Sequence, residues 1–190
     1  MKPVREEDFE DFVERPTVFV IERNIYFYDD VNNKTVCEAI KFLDMLEKKS
    51  NKEITISINS YGGDIYQGLA LYDRIRNSAC KITTIGTGIV ASMGLIVFLA
   101  GDHRLLTENT IILNHQGSGE IAGKTSDFKI EAREMSRLEK LSNEIISERT
   151  GIPIKTLLKD VKEGDKYIAP PNAVKQRYAH GLIANLKSKS

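Results

Sequence analysis

The sequence predicts an α/β fold in which a largely parallel sheet is flanked by helices. One observation is that segments rich in β-branched residues alternate along the chain with segments whose apolar residues recur at helical spacing. Another is that loops of unusual composition directly follow three of the predicted strands. Because ligands gather at the carboxyl ends of parallel strands, we expect these loops to share one edge of the sheet and to form the functional site.

The first part of the predicted domain contains two strands, a helix and a third strand. β-branched and aromatic residues dominate 17–21 and 24–28, which favours strands. Asn33 is a suitable N-cap for a helix whose apolar residues are spaced by three or four positions. The alternating isoleucines of 54–58 then predict another strand. The fold is therefore expected to begin near Thr17.

The middle of the chain continues this alternation. Amphipathic spacing predicts a helix from Ile65 to Ile75, and the residues of 81–85 are typical of a strand. We expect the small residues of 86–88 to form a turn into a helix over 91–99, which is apolar on all sides and therefore buried. Strand residues return at 110–114.

A long charged segment predicts a helix over 125–150. Apolar residues form a single stripe on this helix: Ile130, Met135, Leu138, Leu141 and Ile145. Such a stripe on a charged rod is expected of a helix that protrudes and packs against a partner, so we expect an oligomer contact. A surface helix that packs only on its own domain is the alternative.

Charge and hydropathy exclude two classes of partner. The chain has 27 basic and 27 acidic side chains, so its formal net charge is zero and it has no global field to attract nucleic acid or an anionic membrane. The longest apolar stretch, 86–100, is shorter than the ~20 residues that span a bilayer. We therefore expect neither a nucleic-acid partner nor a membrane partner.

Length and composition predict one domain, residues 17–190, preceded by an acidic arm, residues 1–16. The arm lacks the apolar region of a signal peptide, so we expect a cytoplasmic protein. Cys37 and Cys80 are far apart, and no Cys/His cluster has metal-ligand spacing. This pattern indicates buried thiols in a reducing compartment and no metal site.

Ser92 is the candidate nucleophile. It stands where a glycine-containing turn enters a predicted helix, so backbone N–H groups beside it are free to bind an oxyanion. A small core serine is the alternative. A serine hydroxyl needs a base, and His115 directly follows an apolar strand, whereas His103 and His180 lie in polar segments. His115 is therefore the best-placed base, although a structural role for it stays open.

The double glycine Gly62-Gly63 follows the predicted strand 54–58. Turn chemistry alone can account for it, because glycine adopts positive φ without a steric cost. The functional alternative is that this backbone approaches a substrate closely and offers an N–H to an oxyanion or to an extended peptide. The segment lacks the glycine patterns of a phosphate-binding loop.

Several segments, in this order and spacing, resemble the proteolytic subunit family of Clp proteases (ClpP). The main ones are INSYGG at 58–63, GIVASMG at 88–94 and NHQ at 114–116. Residues 122–134 resemble the handle helix of that family, and segments between 165 and 183 resemble its C-terminal part. The resemblance covers most of the chain and implies a crotonase/ClpP-like fold with a parallel-rich sheet, flanking helices and a handle protruding over about residues 117–150.

The resemblance also implies an activity, that of a serine endopeptidase that cleaves unfolded polypeptides through an acyl-enzyme. By this resemblance Ser92 is the nucleophile, His115 the general base and Asp165 the residue that orients the imidazole. The backbone N–H groups of Gly63 and Met93 would form the oxyanion hole. No metal or organic cofactor is implied.

Members of the family stack two heptameric rings through their handle helices, and an ATP-driven unfoldase feeds the enclosed chamber. The resemblance therefore implies a homo-oligomer with a Clp-type ATPase as partner. The alternatives are a non-catalytic structural subunit of a mixed Clp ring, a signal-peptide-peptidase-like serine/lysine hydrolase, and a crotonase-type acyl-CoA enzyme that would not use the serine. Irreversible labelling of Ser92 would separate the last of these from a serine protease.

Overall fold

The computed structural model describes residues 16–117 and 124–183. Within that part of the chain an eight-stranded, mostly parallel sheet is flanked by helices, which confirms the predicted α/β class. The strands are β1 (Val18–Ile21), β2 (Asn24–Phe27), β3 (Ile54–Ser60), β4 (Ile82–Ala91), β5 (His103–Leu106), β6 (Ile111–Asn114), β7 (Lys166–Ile168) and β8 (Gly181–Leu182). The helices are α1 (Asn33–Lys49), α2 (Ile65–Arg76), α3 (Met93–Leu99), α4 (Thr125–Thr150), α5 (Ile154–Glu163) and α6 (Pro170–Lys175). The predicted arm, residues 1–16, lies outside the described residues except for Pro16.

Strand β4 is the centre of the sheet. It pairs in parallel with β3, and its two halves have different second partners: Thr83–Gly86 pairs with β5, and Ile89–Ala91 pairs with β6. The turn predicted at 86–88 is therefore wrong, because these residues continue the strand. The strand can change partner there because Gly88 has a φ of 57° and the register with β3 shifts after Ile58.

The sheet order is β1-β2-β3-β4-β5-β8, with β6 branching from β4 and β7 pairing with β6. The β1–β2 and β6–β7 pairs are antiparallel, and the other pairs are parallel. His103, in a segment that reads as polar in the sequence, lies in β5, where the ring of His180 stacks on it at a centroid distance of 5.4 Å. The short strand β5 was missed because its pairing with β4 is a long-range contact.

Helix α1 begins one residue earlier than its predicted cap implies. The N-cap is Asn32, whose Oδ1 accepts a hydrogen bond from the Thr35 N–H at 3.1 Å. The Thr35 hydroxyl in turn accepts from the Asn32 N–H at 3.1 Å, which completes a capping box. The prediction of Asn33 as the cap is therefore wrong, because Asn33 is already the first helical residue.

Helix α3 is the most buried helix that the structure describes. Every residue from Met93 to Leu99 is buried, as the all-round apolar composition predicts. The helix packs against β4, α2 and α4. The residue that precedes it, Ser92, is therefore held by the core of the protein rather than by a surface loop.

Helix α4 has a packed half and an exposed half. Leu138, Ile145 and Ile146 are buried, and the helix packs on α3 and α5. Phe128 and Ile130, near its start, are 42% and 63% exposed. The C-terminal half of the apolar stripe thus packs on its own domain, and the N-terminal half is left uncovered.

The cysteines differ in exposure. Cys80 is buried, as expected, but Cys37 is exposed, so the expectation of two buried thiols is wrong for Cys37. In the described ranges, no cluster of three or more His, Cys, Asp or Glu side chains is arranged to hold a metal ion. None of the helices in those ranges combines the length and apolar character needed to cross a membrane.

Candidate active site

The predicted functional loops meet at one edge of the sheet. Strands β3, β4 and β6 run parallel, and residues at or next to their carboxyl ends are paired: Ser60 with Val90, and Ala91 with Leu113. Their carboxyl ends therefore lie side by side, which confirms the expectation from the sequence. The loops that leave these ends carry Gly62-Gly63, Ser92 and His115.

Ser92 stands in a strained turn between β4 and α3. Its φ is 51° and its ψ is −123°, a left-handed conformation that non-glycine residues rarely adopt. The turn is held by its backbone: the Ser92 N–H donates to the Leu113 carbonyl at 3.0 Å, and the Ser92 carbonyl accepts from the Leu95 N–H at 3.0 Å. The side chain makes no capping bond to the helix, so the hydroxyl is left for another partner.

Gly62 packs directly against Ser92. A Cβ at Gly62 would lie 2.6 Å from the Ser92 Cβ and 2.9 Å from the Met93 nitrogen, distances that real Cβ atoms do not tolerate. The φ of Gly62 is 102°, which also favours glycine. The turn chemistry expected of the double glycine and its close approach to the serine are therefore both observed.

Two backbone N–H groups near Ser92, those of Gly63 and Met93, have no acceptor in the part of the chain that the structure describes. Val31 and Gly63 form an isolated parallel β-bridge. The Val31 N–H donates to the Gly62 carbonyl, and the Asp64 N–H donates to the Val31 carbonyl. In this pattern the N–H of Gly63 points away from Val31. Met93 is the first residue of α3, so its N–H has no acceptor within the helix. Neither N–H donates to any other residue of 16–117 or 124–183.

A cavity of about 300 Å³ opens beside the nucleophile. Ser92 and His115 both line it, so the structure brings the predicted nucleophile and base to one site. Helix α4 forms the opposite wall through residues spaced by three or four positions, which lie on one helix face. These wall residues are Ala132, Met135, Ser136, Glu139, Ser142, Asn143 and Ile146.

Asp165 is placed by the pairing of β6 with β7. The antiparallel register joins Leu113 to Tyr167 and Asn114 to Lys166, so the next opposed positions are His115 and Asp165. Asp165 is exposed and lies outside the cavity wall. Among the described residues, no hydrogen bond joins the side chains of Ser92, His115 and Asp165.

Helix α4 is tied to the rest of the site by an exposed contact. The Tyr66 hydroxyl, at the start of α2, donates to Glu134 on α4 at 2.8 Å, and Arg137 donates to the same carboxylate at 2.7 Å. Arg137 and then Tyr66 lower the pKa of Glu134 to about 2. The carboxylate is therefore charged over the physiological pH range and holds α4 beside the α2 terminus.

Three cavity residues escaped the sequence analysis because they look like ordinary polar residues. The side-chain atoms Asn114 Nδ2, Glu139 Oε1 and Asn143 Oδ1 are buried and have no hydrogen-bond partner among the described residues. Buried polar groups are nearly always paired, so unpaired ones at a cavity make it a candidate binding site. No sequence signal identifies them, since their burial depends on where α4 packs.

The comparisons with known proteins agree on one family. A family model described as Clp protease matches residues 6–189. The ATP-dependent Clp protease proteolytic subunit 3 of Rhizobium meliloti is 33% identical over 166 residues, which cover 86% of this chain and 83% of that protein. The ATP-dependent Clp protease proteolytic subunit of Deinococcus radiodurans is 33% identical over 165 residues, covering 85% and 78%.

The fold leads to the same family. A mutant of ClpP1 from Listeria monocytogenes aligns with a TM-score of 0.80 at 30% sequence identity, covering 87% of this chain and 94% of that chain. This match confirms the predicted ClpP-like architecture, with its parallel-rich sheet and flanking helices. Family model, relatives and fold together show that the chain is a divergent member of the Clp protease family.

Proposed function

We propose that this chain is a serine endopeptidase subunit that hydrolyses peptide bonds in unfolded polypeptides. The observation that carries the proposal is Ser92, a strained residue whose hydroxyl makes no hydrogen bond to another described residue and which shares a cavity with His115. Backbone strain of this kind persists only where the surroundings impose it, and it is concentrated at active sites. Membership of the Clp protease family supports the same activity.

The proposed reaction is acyl transfer to Ser92. Its Oγ attacks the peptide carbonyl carbon while His115 accepts the hydroxyl proton, and the imidazolium then donates that proton to the leaving amine. The N–H groups of Gly63 and Met93 donate to the oxyanion, and Asp165 orients the imidazole. Water, activated by His115, hydrolyses the acyl-enzyme. The mechanism uses no metal or organic cofactor.

The hydrogen bonds from Ser92 to His115 and from His115 to Asp165 form upon substrate binding or assembly. Ser92 and His115 share the cavity, and Asp165 lies opposite His115 in the extended register, yet no hydrogen bond joins their side chains among the described residues. Catalytic hydrogen bonds are often long in unliganded enzymes and shorten in the substrate complex. A bound peptide that extends along the sheet edge would bring the loops of Ser92 and His115 together.

We further propose a homo-oligomer of two stacked heptameric rings joined through α4. The exposed Phe128 and Ile130, on the part of α4 that is not packed on its own domain, support an interface there. A Clp-type ATPase is the proposed partner, and aromatic rings offer it a surface: Phe19 stacks on Tyr26 at 4.7 Å, and Tyr28 packs edge-on at 5.8 Å from Tyr26. We place this assembly in the cytoplasm.

Two alternatives make different predictions. A serine/lysine hydrolase would need a lysine at the site, and no described residue that lines the cavity is a lysine. A structural subunit of a mixed ring would assemble without reacting. The test is degradation of an unfolded, reduced and alkylated protein by wild type and by Ser92→Ala, with the assembly state measured by sedimentation velocity.

Degradation by an assembled wild type that Ser92→Ala abolishes, at unchanged assembly, is the expected result. Assembly without degradation would favour the structural subunit. Full activity in a monomeric fraction would overturn the proposed ring.

A further inference from the structure

Among the buried side-chain atoms of residues 16–117 and 124–183, the cavity beside Ser92 has more unpaired acceptors than unpaired donors. Asn143 donates its Nδ2 to the Glu139 carbonyl at 2.8 Å, and this contact leaves Asn143 Oδ1 without a partner. Glu139 Oε1 is also buried and unpaired, so two acceptors and one donor, Asn114 Nδ2, lack partners among the buried side-chain atoms of the described residues. Asn143 and Asn114 are only 4% and 6% exposed, so solvent does not compensate them.

Glu139 has no cation to neutralise it within residues 16–117 and 124–183. The neighbouring basic side chains on α4 are engaged elsewhere: Arg137 pairs with Glu134, and Lys140 pairs with Glu144. A partly buried carboxylate without a counter-charge is costly. A cation that enters the cavity would therefore be favoured by charge as well as by hydrogen bonding.

The remaining wall of the cavity is apolar. Met93, Ile96, Met135 and Ile146 line it together with the polar residues. An apolar wall with acceptors suits a side chain that has methylene groups and a positively charged end. Lysine and arginine are such side chains, because their stems can be buried and the N–H donors at their ends need acceptors. Leucine would leave the acceptors unpaired, and glutamate would add a second negative charge.

We propose that this cavity receives the side chain next to the scissile carbonyl, and that Glu139 and Asn143 select lysine or arginine there. The proposal rests on the proposed function, since it assigns the substrate class of the same site. The scissile carbonyl must lie against Ser92 and the N–H of Met93, and both residues line the cavity. The neighbouring side chain on the acyl portion therefore has the cavity within its reach.

The test compares peptides that differ only at that residue, with lysine, norleucine or glutamate. Lysine and norleucine have the same four-carbon stem, so the difference in kcat/KM measures the ammonium group alone. We expect lysine to be cleaved about tenfold faster than norleucine, and glutamate more slowly than both, since a charge-assisted hydrogen bond contributes about that factor. Equal rates for lysine and norleucine, or faster cleavage of norleucine, would overturn the proposal.

The variants are Glu139→Gln and the control Glu144→Gln. Glu144 is an exposed carboxylate on the same helix that does not line the cavity. Glu139→Gln should remove most of the preference for lysine over norleucine, and Glu144→Gln should keep the preference. A preference that survives Glu139→Gln would contradict the assigned role.

A binding measurement, in which no bond is cleaved, distinguishes failure of this cavity assignment from failure of the proposed function. Binding of the same peptides to Ser92→Ala, followed by calorimetry, shows whether the cavity prefers lysine even if no bond is cleaved. Tighter binding of the lysine peptide supports the cavity assignment, and equal binding of lysine and norleucine overturns it. Reaction of the wild type with a fluorophosphonate separately reports whether Ser92 is a nucleophile.

Discussion

The two sides of the active site are built in different ways. On the nucleophile side, Ser92 lies between a central strand and a fully buried helix, and its backbone is held by bonds to Leu113 and Leu95. On the base side, His115 and Asp165 lie at the ends of β6 and β7, where Asp165 is exposed and Tyr167, the next outward residue, is 65% exposed. Core packing therefore positions the candidate nucleophile, whereas short strands position the candidate base and its orienting carboxylate.

This difference indicates which groups of the candidate site are preorganised. The strain at Ser92 is maintained by the surrounding core, so the hydroxyl and the neighbouring N–H groups keep their arrangement without substrate. On the base side Asp165 and Tyr167 are exposed, although the β6 residues before His115 are buried, so the hydrogen bonds of Asp165 depend on what binds. Substitutions should accordingly affect stability on the first side and activity alone on the second.

The largest expected effect comes from Asp165→Asn. An asparagine at this position stabilises the wrong imidazole tautomer, so kcat should fall by about 10²- to 10⁴-fold. Because Asp165 is exposed and makes no hydrogen bond among the described residues, the free energy of unfolding should not change. Peptide hydrolysis and urea denaturation check both parts.

Glu163→Gln is the matched control for Asp165→Asn. It lies two residues away, is exposed and pairs only with Lys159 among the described residues, so its activity should match wild type. Equal loss in both variants would contradict a specific role for Asp165.

The second effect is that of Gly62→Ala on the nucleophile side. The added Cβ would clash with Ser92 at 2.6 Å and would occupy a backbone with a φ of 102°. We expect the rate of serine labelling to fall about 100-fold and the free energy of unfolding to fall by about 1–3 kcal/mol, because the Ser92 turn and the Gly62 backbone must both shift.

Gly181→Ala is the control for Gly62→Ala. A Cβ there meets only Leu105 at 3.7 Å, an ordinary contact, and the position is on β8, away from the cavity. Labelling by this variant should match wild type. Normal labelling by Gly62→Ala would show that the nucleophile side is less rigid than we infer.

The third prediction compares stability on the two sides. Leu95 is fully buried in α3, so Leu95→Ala should lower the free energy of unfolding by about 2–5 kcal/mol because the change leaves a cavity. Tyr167→Ala in β7 should lose about 0.5 kcal/mol or less, since Tyr167 is 65% exposed. Urea denaturation measures both, and equal losses would remove the distinction between the two sides.

The smallest expected effect is a pH dependence away from the site. Burial, then Arg104, His103 and Arg149, lower the pKa of His180 below its ordinary 6.5. The neutral ring accepts a hydrogen bond from the Arg104 N–H at 3.0 Å through Nδ1. Because the folded pKa lies below the unfolded one, this stability is fully present above pH 6.5 and is lost as the pH falls below it.

The measurement is Tm as a function of pH for wild type and His180→Asn. Asparagine keeps an acceptor for Arg104 but does not titrate near neutrality. Wild type should lose slightly more Tm than the variant on acidification. Identical profiles would show that His180 does not contribute to the pH dependence of Tm.

The sequence predicted the helices with a clear apolar pattern well and the short strands poorly. Periodicity identified α3 and the long helix α4, because burial on one or all faces leaves a pattern in the apolar residues. Strands β5, β7 and β8 are two to four residues long and depend on distant partners, so no local pattern marks them.

The same contrast holds for the candidate site. Ser92 and His115 could be proposed from their loops, but Asp165 came from family resemblance alone, since only the register of β7 places it opposite His115. Glu139 and Asn143 could not be found at all. Their spacing fits any charged helix face, and their unpaired atoms follow from the way α4 packs over the cavity.

The most direct test of the central claim is intact-mass detection of fluorophosphonate labelling on wild type, Ser92→Ala and His115→Ala. We predict one label per subunit on wild type, none on Ser92→Ala, and strongly slowed labelling of His115→Ala, since the hydroxyl would lack its base. Labelling that persists in Ser92→Ala, or an assembled wild type that does not react, would contradict the claim that Ser92 is an activated nucleophile.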